Sequence, residues 1–197
     1  MNYLAHLYLA GDDPESRVGS LMGDFVKGRV DPARPPAVRR AILQHRHIDS
    51  FTDAHAVVQR SKRRIRPPFR RYAGILVDVF YDHYLAANWH HYATEPLGEF
   101  AGAVYTLMTT RLNSLPPAMQ RSMRYMVRND LLVSYRQIDG IARALRGIET
   151  RLQRPSRLGE AVSELDAAYV ALGEDFAEFF PELIAFVQDE DTGRGCR

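Results

Sequence analysis

Carboxylates and imidazoles occur in three short polar groups within otherwise apolar, helix-like stretches of this chain. The groups are Gly23-Asp24-Phe25, residues 45–49 together with Asp53, and residues 78–83. Burying such side chains costs several kcal/mol unless they are paired or bind a cation. We therefore expect a functional site, and metal-dependent hydrolysis is the chemistry that these residue types favour.

Helical spacing places several of these side chains on common faces. His45, Asp49 and Asp53 follow one another at intervals of four residues and so share one face of a helix. Asp78 and Asp82, with His83 next in the chain, lie among Val, Phe, Tyr and Leu residues. Two carboxylates one turn apart in such surroundings repel each other unless a cation or a buried base holds them. For the first set, a solvated stripe with salt bridges to nearby arginines is the alternative.

His6 and Asp24 are two further candidate site residues, and either of them alone is weak evidence for a site. His6 could be a hydrogen-bonded core histidine, and Asp24 could pair with Lys27 or Arg29. Mixed imidazole and carboxylate ligation suits Mn²⁺, Fe²⁺, Zn²⁺ or Mg²⁺, and the lack of thiolates in these groups argues against a structural zinc site. A cation of this kind acidifies a water molecule and polarises a phosphoryl oxygen, while a nearby His or Asp manages the protons.

The elements that must position these residues are predicted to be helices. Asp13 and Pro14 are typical of a helix start, and Gly28 is the expected end of that helix after about Lys27. Residues 3–10 fit either a first helical turn or a short strand. Further helices are predicted at 37–52, 61–66, 69–91, 97–112, 117–129, 131–146 and 158–187. The pattern indicates an all-α, single-domain helical bundle over residues 1–188, with a polar tail at 189–197.

Composition narrows the class of protein. With 197 residues, 46% of them hydrophobic, the chain can bury one sizeable core. Cys196 is the single cysteine, so no intramolecular disulfide is possible. There is no signal-peptide pattern and no apolar run long enough to cross a bilayer, so we expect a soluble, cytoplasmic protein with no membrane partner. No P-loop, dinucleotide-binding glycine motif or nucleic-acid-binding zinc finger is present, and no nucleic-acid partner is predicted.

Charge is unevenly distributed although the net charge is only +2. Residues 60–71 contain seven bases and no acid, whereas residues 160–191 are strongly acidic. A solvated basic helix, contact with nucleic acid and docking of an acidic protein are all compatible with the basic segment. The sequence leaves the oligomeric state open.

The polar groups, taken together and in order, resemble a known family. Residues 1–7, 23–28, 45–53 and 78–85 are similar to the bacterial acyl carrier protein phosphodiesterases, and a weaker similarity extends through Trp89 and Tyr135. The resemblance implies an all-α relative of the HD-type metal-dependent phosphohydrolases that removes 4′-phosphopantetheine from holo-acyl carrier protein. The chain has no His-Asp dipeptide, and the nearest match is the reversed Asp82-His83.

The resemblance also implies roles for individual residues. A divalent cation, Mn²⁺ first, is expected on Asp24, His45, Asp78, Asp82 and His83. The additional ligands, orienting groups or proton-transfer residues are His6, Asp49 and Asp53. Because acyl carrier proteins are acidic, Arg63, Arg64 and Arg66 are expected to dock the holo-carrier protein. The alternatives are an HD-type phosphohydrolase acting on a nucleotide or other small phosphodiester, and a helical binding module without enzymatic activity.

Overall fold

A computed structural model describes residues 1–152 and 156–193 of the chain. This part contains eleven α-helices and no strand, which confirms the all-α prediction. The helices are α1 (Tyr3–Leu9), α2 (Pro14–Met22), α3 (Pro36–Ala54), α4 (Ala56–Arg64), α5 (Ala73–Ala87), α6 (Leu97–Arg111), α7 (Pro117–Arg128), α8 (Leu131–Ser134), α9 (Ile138–Glu149), α10 (Val162–Ala167) and α11 (Tyr169–Asp191).

The N-terminal residues that fitted either helix or strand form α1. The Asn2 side chain does not cap this helix; the carboxylate of Asp82 in α5 does, accepting the backbone N–H groups of Leu4 at 2.8 Å and Ala5 at 3.1 Å. Two free N–H groups at a helix start need such acceptors when they are buried. The position of α1 therefore depends on α5.

The helix predicted from Pro14 begins as expected but ends early. Asp13 accepts a hydrogen bond from the backbone N–H of Ser16, as an N-cap should. The helix ends at Met22 with Gly23 as its C-cap, so Gly28, which has a φ of +70°, lies in the loop that follows. The first polar group of the sequence, Gly23-Asp24-Phe25, thus begins at a helix end.

Helix α5 is the buried centre of the molecule. Eleven of its fifteen residues are buried, and its Tyr81 and Tyr84 rings pack against Phe176 of α11. It is shorter than the predicted 69–91 because residues 70–72 and 89–91 form separate 3₁₀ turns. Since α5 has neighbours on nearly every side, successive residues of α5 contact different elements.

Two other predicted helices are each divided. The stretch 131–146 forms two helices, α8 and α9. They pack so closely that a Cβ atom on Gly140 would lie 1.8 Å from the Ser134 carbonyl oxygen. The stretch 158–187 forms a 3₁₀ turn, α10 and α11, and α11 continues past residue 188 to Asp191. Hydrophobic spacing persists across such bends and does not reveal them. Cys196 lies outside the described residues.

Helices α2 and α3 pack in close contact. A Cβ on Gly19 would come within 2.6 Å of the Val38 carbonyl oxygen, so only glycine permits this approach.

Across the described ranges, no helix combines the length and apolarity that a membrane span requires.

Candidate metal centre

Two histidines and an aspartate from α1 and α3 form a compact cluster of potential metal ligands. His6 Nε2 lies 3.1 Å from Asp49 Oδ1, and His45 Nε2 lies 3.2 Å from Asp49 Oδ2. One potential ligand atom from each of the three residues lies within 4.8 Å of the others. The two imidazole rings stack with their centroids 3.8 Å apart. Two nitrogens and a carboxylate are a donor set that divalent transition metals favour.

Local structure explains how these side chains meet. The His6 carbonyl oxygen accepts a 2.9 Å hydrogen bond from Ser20 Oγ, which joins α1 to α2. The His45 ring lies directly against Gly23, where a Cβ would be 2.3 Å from His45 Cγ. Asp24 follows at once, with Oδ1 3.5 Å from His45 Nε2. The Gly23-Asp24 pair therefore makes room for one ligand and supplies a carboxylate beside it.

The electrostatics of the cluster separate its two histidines. Burial and the neighbouring His45 lower the pKa of His6 to about 4, although its hydrogen bond to Asp49 opposes this shift. Burial also acts to lower the pKa of His45, but hydrogen bonds to Asp24 and Asp49 raise it to about 9. Burial opposes ionisation of Asp49, yet the hydrogen bonds from both imidazoles hold its pKa well below the usual range. Without a cation, the two carboxylates therefore favour a proton on His45, which a bound metal ion would displace, whereas burial favours the neutral form of His6.

The buried nitrogens of this cluster fit a bound cation. His6 Nδ1 and His45 Nδ1 have no hydrogen-bond partner in the described part of the chain, although both are buried. Buried polar atoms almost always have a partner, so these two unpaired nitrogens call for an explanation. Each ring presents its Nε2 atom to Asp49, and an ion held with that carboxylate would bind there. Together with the nearby carboxylates, this donor set fits a divalent metal ion.

Asp78 reaches the cluster through the α-amino group of Met1. This ammonium lies 3.1 Å from Asp78 Oδ1 and 3.5 Å from Asp49 Oδ1. Burial alone would lower the pKa of the amino group, but Asp78 and Asp49 raise it to about 10. Burial raises the pKa of Asp78. The structure thus places a positive charge between Asp78 and Asp49, whereas the sequence had indicated one between Asp78 and Asp82.

The structure places Asp82 and His83 outside the His6-His45-Asp49 cluster. Both oxygens of Asp82, a fully buried side chain, accept hydrogen bonds from the start of α1. His83 Nδ1 contacts the Tyr135 carbonyl oxygen at 2.8 Å and His83 Nε2 contacts the Tyr169 hydroxyl at 3.0 Å. Spacing along α5 suggested a shared site, but α5 is surrounded, so Asp82 faces α1 while His83 faces the turn after α8 and the start of α11.

Asp53 is also placed outside the cluster. It lies two helical turns beyond His45, a rise of about 12 Å along the axis. Its carboxylate is exposed and pairs with Lys62 Nζ at 2.7 Å. Sharing a helical face was therefore not sufficient for sharing a site.

The basic segment is largely paired within the chain. Arg64 binds Asp175 at 2.9 Å, Arg66 binds Glu164 at 3.0 Å, and Arg63 is exposed with no ion pair among the described residues. Two of the three arginines that were expected to dock an acidic partner are therefore held in ion pairs within the chain. The basic and acidic segments were both recognised in the sequence, but their mutual pairing is a tertiary contact that charge counting does not show.

Sequence reasoning missed three contributors to the site: Gly23 under the His45 ring, Ser20 on the His6 carbonyl, and the Met1 ammonium. A glycine before an acidic residue at a helix end was a usable signal for the first of these. The other two depend on how α1 packs, which no local pattern reveals.

Comparison with known proteins gives a consistent result. The family model described as acyl carrier protein phosphodiesterase matches residues 1–183. Acyl carrier protein phosphodiesterase of Enterobacter sp. (strain 638) is 36% identical over 185 residues, which cover 93% of this chain and 96% of the relative. The proteins of the same name from Shigella boydii serotype 4 and Escherichia coli O157:H7 are 36% identical over 186 residues, 94% of this chain and 96% of each relative. No solved structure shows significant similarity to the chain.

Proposed function

The chain belongs to the acyl carrier protein phosphodiesterase family, and on that basis we propose that it hydrolyses the phosphodiester joining 4′-phosphopantetheine to holo-acyl carrier protein. Water adds to phosphorus and the bond to the carrier serine oxygen breaks. The products are apo-carrier protein, with its serine hydroxyl restored, and free 4′-phosphopantetheine. The observation that carries the proposal is family membership over almost the whole chain, together with a compact His-His-Asp cluster.

The exposure of the cluster supports metal dependence. The His6 and His45 side chains are only 2% and 4% exposed, whereas those of Asp24 and Asp49 are 48% and 42% exposed. A substrate therefore meets carboxylates first. A phosphodiester is an anion, and two exposed carboxylates repel it unless a cation lies between them. The arrangement is suited to phosphate chemistry only when a metal ion is bound.

We assign the ligands from this geometry. His6, His45 and Asp49 would hold the ion, with Asp24 as a further donor beside His45, and Mn²⁺ is our first choice ahead of Mg²⁺, Fe²⁺ and Zn²⁺. A bound divalent cation would polarise a phosphoryl oxygen and make water acidic enough to attack at neutral pH.

The remaining carboxylate at the cluster, Asp78, would provide the proton chemistry. Its side chain is 31% exposed, so it can reach a bound phosphodiester. Burial raises the pKa of Asp78, although the Met1 ammonium opposes this shift, and Asp78 would give a proton to the departing serine oxygen. Asp24 would stay with the ion as a ligand beside His45. The Met1 ammonium keeps Asp78 in place through its 3.1 Å contact.

A mass measurement tests the proposal directly. Purified protein is incubated with holo-acyl carrier protein and Mn²⁺, and intact-mass spectrometry is used to look for loss of one phosphopantetheine from the carrier. Turnover of nucleotides with no action on the carrier would assign the chain to another phosphohydrolase activity. The absence of both bound metal and hydrolysis would favour a binding module.

A further inference from the structure

A cavity of about 610 Å³ opens between α7 and α9. Ser122 and Tyr125 of α7 and Gly147 of α9 line it, and its surface is mostly apolar. The Tyr125 hydroxyl donates to the Arg143 carbonyl oxygen at 3.2 Å, which fixes the two helices side by side. A volume of this size is within the range of small-molecule sites.

One wall of the cavity is shared with the candidate metal centre. Tyr3, one helical turn before His6 in α1, lines the cavity, and so does Phe25, the residue after Asp24. An extended ligand lying in the cavity would therefore have one end close to the cluster. Ser122 and Tyr125 add hydroxyl groups that can bind amides along its length.

Three arginines without an ion pair among the described residues line this cavity: Arg121, Arg146 and Arg151. Between Arg121 and Arg151 the chain has seven arginines and three acids, and none of the seven forms an ion pair with a described residue. On α7 the buried side is formed by Met119, Met123 and Met126, which leaves the arginines on the outside. We define the arginine face as Arg121, Arg124, Arg128, Arg143, Arg146 and Arg151.

The basic segment at 60–71 provides the contrast. Arg60, Lys62, Arg64 and Arg66 are all held in ion pairs within the chain. Charges neutralised in this way contribute little to the field that an approaching partner meets. Three arginines of the basic segment, Arg63, Arg70 and Arg71, have no ion pair among the described residues, against six on the arginine face. An acidic partner is therefore attracted more strongly to the arginine face.

We propose that the arginine face is the docking surface for the acidic carrier protein and that the cavity within it receives the pantetheine arm. This inference rests on the proposed function. Acidic residues of the carrier would pair with arginines of α7 and α9, and the arm would lie across the cavity so that its phosphodiester end reaches the His6-His45-Asp49 cluster.

Charge reversal on the two surfaces distinguishes them. The test variant is Arg121→Glu with Arg143→Glu, one change on each helix, and the matched control is Arg63→Glu with Arg70→Glu, which alters net charge equally and breaks no ion pair of the described residues. The test variant should lower kcat/KM for holo-carrier protein by about tenfold or more at low salt, because steering acts on association. The control should change it by less than about twofold, and the difference should shrink at high salt.

A cavity variant tests the position of the arm. Ser122→Phe should weaken binding of holo-carrier protein while leaving binding of apo-carrier protein, which has no arm, unchanged. A thermal melt and Mn²⁺ binding equal to those of the unmodified protein show that fold and metal site are intact. Equal loss for apo- and holo-carrier, or no loss for either, would overturn the cavity assignment.

The remaining outcomes are also decisive. A larger loss in the control variant, or no loss in the test variant, overturns the docking surface while leaving the proposed function standing. If the unmodified protein releases no phosphopantetheine, the proposed function fails, and docking is then judged by binding of fluorescent holo-carrier protein to the same variants. A test variant that loses affinity for a short RNA but not for the carrier would assign the arginine face to nucleic acid.

Discussion

Replacing Asp49 by Asn is the sharpest test of the candidate metal centre. Asp49 contacts both imidazoles, one through each carboxylate oxygen. Asparagine retains the shape but removes the charge and turns an NH₂ group towards one ring. We expect Mn²⁺ affinity to fall at least about 100-fold, since removing even an indirect partner of a ligand costs 10- to 100-fold. That loss corresponds to about 2.8 kcal/mol of binding free energy.

The effect on the metal-free protein should be small. The Asp49 side chain is 42% exposed, so solvent weakens its ion pairs, and we expect the free energy of unfolding to change by less than about 1 kcal/mol. The stabilisation that Mn²⁺ adds should differ far more between the unmodified protein and the Asp49→Asn variant. With Mn²⁺ at 100 times the Kd of the unmodified protein, binding adds about 2.7 kcal/mol, or a Tm rise of roughly 5–11 °C. In the variant the same concentration adds about 0.4 kcal/mol.

Asp53→Asn is the matched control, because it makes the same change one turn further along α3. Asp53 is 72% exposed and pairs only with Lys62 among the described residues. It should retain the metal, the Mn²⁺-induced Tm rise and full hydrolysis of holo-carrier protein. Scanning calorimetry and metal analysis by mass spectrometry provide the measurements. An Asp49→Asn protein that keeps its Tm rise, or an Asp53→Asn protein that loses it, would refute the assignment of the cluster.

Three further predictions follow from contacts described above. Chelation should abolish hydrolysis of holo-carrier protein and added Mn²⁺ should restore it, whereas full activity in chelated, metal-free protein would eliminate the metal mechanism. Gly23→Ala should lower Mn²⁺ affinity by about 10- to 100-fold, because its methyl group would lie 2.3 Å from His45 Cγ. The control is Gly98→Ala, whose methyl group would have nothing within 4 Å, and its Mn²⁺ affinity, measured by titration calorimetry, should be unchanged. Asp175→Asn should cost about 2–4 kcal/mol in urea unfolding at pH 7, because Asp175 is buried and accepts from Arg60, Arg64 and Ser61. Burial alone would raise the pKa of Asp175, but these partners lower it. The contribution of Asp175 to the free energy of unfolding is therefore present above about pH 4 and is lost as the pH falls further. If Asp175→Asn and the unmodified protein had the same free energy of unfolding at pH 7, this role of Asp175 would be contradicted.

The sequence predicted the parts of the site that depend on spacing within one helix. Four-residue spacing placed His45 and Asp49 on one face of α3, and both lie in the cluster. The same spacing leaves Asp53 outside the cluster, because a shared helical face extends well beyond the reach of one ion. The helix starting at Pro14 was also predicted, since an N-cap aspartate followed by proline is a local signal.

Contacts between distant segments were beyond the reach of sequence patterns. Asp82 appeared to be a ligand because α5 is apolar and carries a second acid one turn away. Its actual partners are backbone N–H groups, which have no sequence signature. Arg64 and Arg66 likewise looked available because their acidic partners lie about a hundred residues later in the chain.

The dependence of α1 on Asp82 determines when the site can form during synthesis. The proposed ligands His6, His45 and Asp49 leave the ribosome early, but the hydrogen bonds that fix α1 span 77 and 78 residues. Contacts of such long sequence separation form slowly, since loop closure must precede them. A nascent chain ending before α5 therefore carries all three proposed ligands without the assembled cluster, and the cluster forms only after the central helix has folded.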